Sequence, residues 1–168
     1  MLILILSSLI IILSVIADQI TKYFALTYLK PINVHPFIDK IIEFRYATNP
    51  GIAWGMLEGK RWLFIPISSV AIIAIIVIIF CYRKSLSPFL AVSLSMIAGG
   101  GIGNQIDRIV RGYVIDFLNF QFIDFPIFNV ADSFVCVGCV GAIISVLFFD
   151  RHLLFDEKPQ KNGKVKND

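Results

Sequence analysis

The chain has 168 residues, 57% of them hydrophobic, and a formal net charge of +3. A mean hydropathy of +0.81 excludes an ordinary water-soluble domain and points to one integral membrane domain, with no nucleic-acid partner expected. The three cysteines, Cys81, Cys136 and Cys139, lie in or beside apolar segments, which argues against an extracellular disulfide framework.

Leu2 to Ala17 is almost wholly aliphatic and meets Asp18-Gln-Ile-Thr-Lys22. It lacks the basic n-region and small-residue cleavage site of a cleaved signal peptide, so an uncleaved transmembrane helix is expected over about 2–29. Asp18 and Lys22 stand at i, i+4, the favourable order for an ion pair on one helical face. Spacing alone leaves two roles open: a snorkelling pair at the membrane boundary, or a pair that faces the bundle and supports a site.

Residues 30–61 form the longest polar interruption, and Pro31 and Pro36 rule out a continuous helix. Ile42, Phe44 and Tyr46 alternate with Glu43, Arg45 and Ala47, a period-2 strand signal. Asn49-Pro-Gly51 reads as a tight turn, and Trp54 follows in an apolar stretch suited to headgroup depth. A small extramembrane β-sheet is therefore expected in this first loop.

Two further spans follow, at about 62–82 and 85–106, each free of charge and long enough to cross a bilayer. Arg83-Lys84 separates them. Gly99, Gly100, Gly101 and Gly103 crowd the end of the second and allow another backbone to approach closely. The run lacks the Gly-Lys-Ser/Thr of a nucleotide loop. The fourth span, about 125–149, holds Asp132 as its single charged residue. The spacing of Cys136 and Cys139 suits a redox or metal pair, but reads better as small residues packed on a buried helix face. Residues 1–150 thus form the membrane-embedded domain, and 151–168 a hydrophilic, Lys-rich tail expected to be disordered. The architecture expected is an all-α integral membrane protein of four transmembrane helices plus the small sheet.

An intramembrane acid is costly and marks a functional site by default. Asp132 is the clearest case, with Asn129 three residues before it on the same face if this is helix. Asp116 sits in Val-Ile-Asp-Phe, between the third and fourth spans. If those spans run antiparallel, Asp116 and Asp132 emerge near one membrane face. Two carboxylates that meet there can share a proton and activate a water for hydrolysis. His35 and His152 fall on opposite sides of the membrane in this topology, which leaves no Ser-His or Cys-His pair and no joint metal site. The connection Arg83-Lys84 and the basic tail argue that both termini are cytoplasmic, although Lys30, Lys40, Arg45, Lys60 and Arg61 give the other side a similar basic count. A small proton-coupled transporter or channel is the main alternative for a chain with intramembrane acids. Acids clustered at one face weigh against an ion path, and a purely structural membrane partner has no use for them.

Four blocks, in order across nearly the whole chain, resemble bacterial lipoprotein signal peptidases (signal peptidase II). They are Asp18-Gln-Ile-Thr-Lys22; Asn49-Pro-Gly-Ile-Ala-Trp-Gly55; Gly103-Asn-Gln-Ile-Asp-Arg108 through Gly112-Tyr-Val-Ile-Asp-Phe117; and Phe128-Asn-Val-Ala-Asp-Ser133. Gly101 stands where an apolar residue is more usual in that family. The resemblance implies a membrane-embedded aspartic endopeptidase without metal or cofactor. It would cut diacylglyceryl-modified prolipoproteins on the N-terminal side of the lipidated cysteine. It implies Asp116 and Asp132 as the catalytic pair. Asn49, Gly51, Asn104, Arg108 and Asn129 would hold substrate backbone or the catalytic groups, and Asp18 and Lys22 would support the site. Asp107 would be structural, and Asp124 matches no catalytic position. The setting implied is the bacterial cytoplasmic (inner) membrane, with the site near the outer (periplasmic) face, membrane lipids around it and a monomeric enzyme.

Overall fold

The computed structural model describes residues 1–51 and 61–153, except the side chains of 61–64 and 152. Trp54 and its apolar neighbours, and residues 154–168 of the tail, lie outside the described residues. Helix α1 (Leu2–Phe24) runs into a π-helical turn, Ala25–Leu29. Strands β1 (Val34–Ile38) and β2 (Ile42–Asn49) follow, then α2 (Arg61–Tyr82), α3 (Pro88–Val110), β3 (Val114–Phe120) and α4 (Val130–Phe148). A 3-10 turn, Arg151–Leu153, ends the described chain. Among the described residues, four helices are long and apolar enough to cross a membrane: Leu2–Leu29, Ile65–Tyr82, Pro88–Val110 and Val130–Phe148.

Helix α3 is the hub. Its span is 56% buried, against 17% for α1 and α4 and 6% for α2, and it packs against all three. Its glycines permit this. A Cβ on Gly100 would collide with the Ala131 carbonyl oxygen of α4, and one on Gly103 with the Asp18 carboxylate of α1. Close backbone approach, rather than a hydrophobic drive, is what holds helices together in lipid. Helix α2 is tied to α3 by one buried amide: Gln105 Nε2 donates to the Ile65 carbonyl and Ser69 Oγ, both at 2.9 Å, and its Oε1 accepts from Ser68 Oγ at 2.6 Å.

The helix ends differ from the sequence reading in instructive ways. Helix α3 starts at Pro88, not 85, because the Ser87 hydroxyl caps it by accepting from the Leu90 N–H. It ends at Val110, four residues past the expected 106. Asp107 and Arg108 therefore belong to its last turns instead of lying outside. A buried cation on α1 pairs with Asp107, so the charge does not stop the helix. Helix α4 starts at Val130, not 125. Phe128 exchanges backbone hydrogen bonds with Leu118, and Phe125 and Phe128 join Phe120 in an aromatic cluster, so this segment is extended. Cys136 and Cys139 are exposed on the outward face of α4, not packed inside. The buried face is instead Ala131, Gly138, Gly141 and Ser145, where only small residues fit against α3.

The sheet is larger than expected. It is antiparallel with order β1-β2-β3. Its third strand comes from the segment after α3 rather than from the first loop, and pairs Asp116 with Ala47 and Ile115 with Thr48. Ile115 and Phe117 pack on Ala25 and Leu29 of the π-helical turn. That core seats the sheet on the end of α1 and fixes which face of β3 looks toward α4.

Candidate active site

The site is assembled at the start of α4. Asn129 caps this helix: its Oδ1 accepts from the Asp132 N–H at 3.0 Å, and Asp132 Oδ2 accepts from the Asn129 N–H at 3.1 Å. This reciprocal capping box locks the Asp132 side chain, so the pair is a helix start and not two residues inside a helix. The Asn129 amide is fully buried. Its Nδ2 donates to Asp116 Oδ1 at 2.7 Å, Asn104 Oδ1 at 3.0 Å and the Ile115 carbonyl at 3.3 Å. One asparagine thus touches both carboxylates, through its backbone on one side and its side chain on the other.

Each carboxylate has a second amide partner. Asn104 Nδ2, on α3, donates to Asp132 Oδ1 at 2.7 Å. Asn49 Nδ2, at the end of β2, donates to Asp116 Oδ2 at 3.1 Å, while Asn49 Oδ1 accepts from the Gly51 N–H at 3.1 Å. The Asn49 side chain therefore makes its turn and reaches the site as well. Asp116 is 2% exposed. Burial first, and the charge of Asp132 second, push its carboxyl up to about 6, against the lowering influence of the Asn49 and Asn129 hydrogen bonds and of Lys22.

Beneath this layer lies a dry ionic one. Asp18, Lys22 and Asp107 are each 0% exposed. Lys22 Nζ meets Asp18 Oδ2 at 2.9 Å and Asp107 Oδ2 at 3.0 Å, and donates to Asn104 Oδ1 at 2.8 Å. Three donors thus find three acceptors. Arg111 adds the second cation, at 2.6 Å from Asp107 Oδ1, which balances the two acids. The pair at 18 and 22 therefore faces the bundle and does not snorkel. Its partners connect directly to the site. Asp18 Oδ1 accepts from the Ala131 N–H of α4 at 3.1 Å, and Asp107 Oδ2 accepts from the Ile115 N–H of β3 at 3.1 Å.

Arg108 borders the pair from α3. Among the described residues it makes only long hydrogen bonds, to the carbonyls of Asn104 at 3.4 Å and Gly51 at 3.5 Å. Among the described residues no carboxylate stands within ion-pair distance of it, so its donors remain open to a further acceptor. Asp124 is exposed on the β3–α4 connection and is not brought to the site. Among the described residues no group of three His, Cys, Asp or Glu side chains is placed to hold a metal. Two further participants emerge only from the fold. Gln19 bridges Asp18, the Gly103 carbonyl and Asp107, and Arg111 neutralises Asp107. An i, i+4 spacing between Asp107 and Arg111 was the available clue to the second. The arrangement brings two carboxylates from separate elements onto one buried asparagine, with the Asp116 carboxyl held above its ordinary value.

Comparison with known proteins gives a concordant picture. The family model described as signal peptidase (SPase) II matches residues 10–148. The lipoprotein signal peptidase of Bacillus subtilis (strain 168) is 39% identical over 137 residues, covering 80% of this chain and 88% of that protein. That of Enterococcus faecalis (strain ATCC 700802 / V583) is 38% identical over 148 residues, 88% of this chain and 86% of that protein. A solved bacterial membrane enzyme, determined by the in meso method at 2.3 Å resolution, superposes with a TM-score of 0.77. It shares 33% identity and covers 96% of this chain and 93% of its own.

Proposed function

This chain belongs to the signal peptidase II family of lipoprotein signal peptidases, and from that premise we propose a membrane-embedded aspartic endopeptidase with Asp116 and Asp132 as its catalytic pair. Its substrate is a diacylglyceryl-modified prolipoprotein, cut on the N-terminal side of the lipidated cysteine. The observation that carries the assignment is the bridging of both carboxylates by the buried Asn129. Two acids from separate elements are held to one point by a residue whose other task is to start α4.

The raised Asp116 keeps the shared proton. Asp132 takes a proton from the water between them, and the water oxygen attacks the scissile carbonyl carbon while Asp116 donates to the carbonyl oxygen. The tetrahedral intermediate collapses as Asp132 returns a proton to the leaving nitrogen and Asp116 recovers one from the intermediate's hydroxyl. Asn104, Asn49 and Asn129 fix the carboxylate planes. Arg108 and the Gly51 carbonyl offer a donor and an acceptor to extended substrate backbone. Asp18, Lys22 and Asp107 hold α1, α3, α4 and β3 in register from below.

The family is one of peptidases, so the transporter alternative is set aside; the acids also gather at one end of the bundle instead of tracing a path through it. The protein is a multi-pass membrane protein. We place its termini in the cytoplasm, with the dyad near the outer (periplasmic) face of the bacterial inner membrane. The dyad lies at the end of the bundle opposite Arg83-Lys84, which supports this orientation. The ionic network closes within one chain, which supports a monomer. The test is a gel-shift assay of a purified diacylglyceryl prolipoprotein. Wild type should release the signal peptide. Asp116→Asn and Asp132→Asn, each still folded in detergent, should lose about 10³-fold or more in kcat. Full activity in either variant overturns the pair.

A further inference from the structure

A cavity of about 420 Å³ lies between the end of α1 and the sheet. Its size falls within the range of about 300–1,000 Å³ typical of ligand sites. Phe24, Ala25, Tyr28, Phe44 and Phe117 are among its walls. Thr21 Oγ1 already donates to the carbonyls of Ala17 at 2.9 Å and Asp18 at 2.8 Å, which leaves the Tyr28 hydroxyl and the His35 imidazole as the other polar groups of a largely aromatic and aliphatic lining. The walls therefore ask for an apolar occupant.

Three observations say which one. First, the groove is continuous with the outward face of a transmembrane helix. Phe24 and Tyr28 both line it and are 51% and 64% exposed, so it opens toward hydrocarbon. Second, it is on the side of β3 away from the dyad. Successive strand residues point to opposite faces; Asp116 meets Asn129 and Asn49, while Phe117 lies on the α1 side. The sheet stands between the groove and the scissile bond. Third, a cation adjoins the lining in the chain. Lys30, exposed and next in the chain to the lining Leu29, sits with Nζ 5.7 Å from the centre of the Tyr46 ring. The π-helical turn gives the groove its shape: the Lys30 N–H bonds to the Ala25 carbonyl at 2.8 Å, a widened turn of a kind that recurs at functional sites.

We propose that this groove is a binding site for one acyl chain of an anionic membrane phospholipid, with Lys30 at the phosphate. The lipid is a resident of the bilayer and not the substrate's own diacylglyceryl group. Seated there, it wedges the sheet carrying Asp116 and Asn49 against α1.

The test is native mass spectrometry of the delipidated full chain with dioleoylphosphatidylglycerol added. One lipid per chain should survive at energies that strip lipid from the remaining surface. Ala25→Leu, which fills the groove, should weaken its Kd at least tenfold. Lys30→Gln should weaken it severalfold and leave binding of the zwitterionic phosphatidylcholine unchanged. Val137→Leu, on the outward face of α4, should have no effect. Helical circular dichroism and a single monodisperse elution peak in detergent report that each variant is folded; if Ala25→Leu fails that check, Tyr28→Trp replaces it under the same criterion. Equal retention by wild type and the groove-filling variant overturns the site. So does one-for-one displacement of the phospholipid by a diacylglyceryl-cysteine peptide in the Asp132→Asn enzyme, because that would assign the groove to the substrate.

Discussion

Asp116, Asp132 and Asp124 are three acids within 17 residues, and their surroundings separate them. The first two share Asn129, while the third is solvated. Asp124→Asn should therefore retain most of the wild-type cleavage rate in the assay that silences Asp116→Asn and Asp132→Asn; comparable loss at all three would mean that the pair is misassigned. The raised Asp116 carboxyl has a pH signature. Its proton is held below about pH 6 and lost above it, so kcat/KM for the free enzyme should bend downward as pH rises through about 6. Stability follows the same sign. A carboxyl raised above its ordinary value favours the fold most when neutral, below about pH 4, and that contribution fades as pH rises through about 6. The wild type should lose roughly 3 kcal/mol from this group over that interval. Asp116→Asn should flatten the dependence of Tm on pH, and an unchanged slope would remove Asp116 as its source. Lys22 acts one layer deeper. Lys22→Met leaves Asp18 and Asp107 buried with Arg111 as their one remaining cation, and breaking such a buried pair costs about 3–5 kcal/mol. We expect a sharply lower Tm and a fall in kcat exceeding any rise in KM, because Asn104 loses the donor that orients its amide toward Asp132.

At the scale of elements, the bundle depends on how close α3 comes to α1 and α4. Gly100 and Gly101 are neighbours in sequence with different duties. A side chain at 100 meets the Ala131 carbonyl at the start of α4, whereas one at 101 meets the Ile72 side chain of α2, with Cγ1 at 3.0 Å and Cδ1 at 3.2 Å. Backbone at the start of α4 cannot yield, but the end of an isoleucine can. Gly100→Val should lower stability by about 1–3 kcal/mol or more and abolish cleavage, while Gly101→Ala should leave both nearly intact. Thermal unfolding in detergent alongside the gel-shift assay reads both, and equal damage at the two positions would refute the distinction. The opposite end of the α3–α4 hairpin is secured separately. Asp150 accepts from the Ser87 N–H at 2.9 Å and from the hydroxyls of Ser87 and Ser145, each at 2.6 Å.

At the scale of the molecule, the proposed pair lies where the helix bundle meets a surface sheet, so a substrate can arrive sideways out of the bilayer. Diacyl chains that stay in the membrane place the scissile bond beside Asp116 and Asp132 and reduce the entropy lost on alignment. Burial of each methylene is worth about 0.8 kcal/mol, but the bilayer has already supplied most of that. The modification should therefore act through positioning and through its glyceryl portion. A precursor with an unmodified cysteine should be cut far more slowly in matched liposomes. Equal rates for the two precursors would show that the lipid is not read.

The sequence alone carried the membrane class, the four spans, the strand signal over 42–47 and the two acids proposed as the catalytic pair. Long uncharged runs have no stable place in water, and an acid in such a run needs a reason. It also carried the family, because four short polar blocks recur at the ends of those spans. Span ends were less legible: charge and Pro signals could not show that Lys22 would neutralise Asp107 inside the bundle, or that Phe128 would pair with Leu118 before α4 began. The third strand was hidden because Val114 to Phe120 reads as apolar chain until β2 is there to accept its hydrogen bonds. The outward position of Cys136 and Cys139 was likewise invisible, since spacing shows which residues share a helix face but not which face meets lipid. Only the tertiary structure could decide that Asn129 joins Asp116 to Asp132 and that Asp18 and Lys22 face inward. Those facts depend on three helices and a strand converging within hydrogen-bond reach, a distance that local periodicity does not encode.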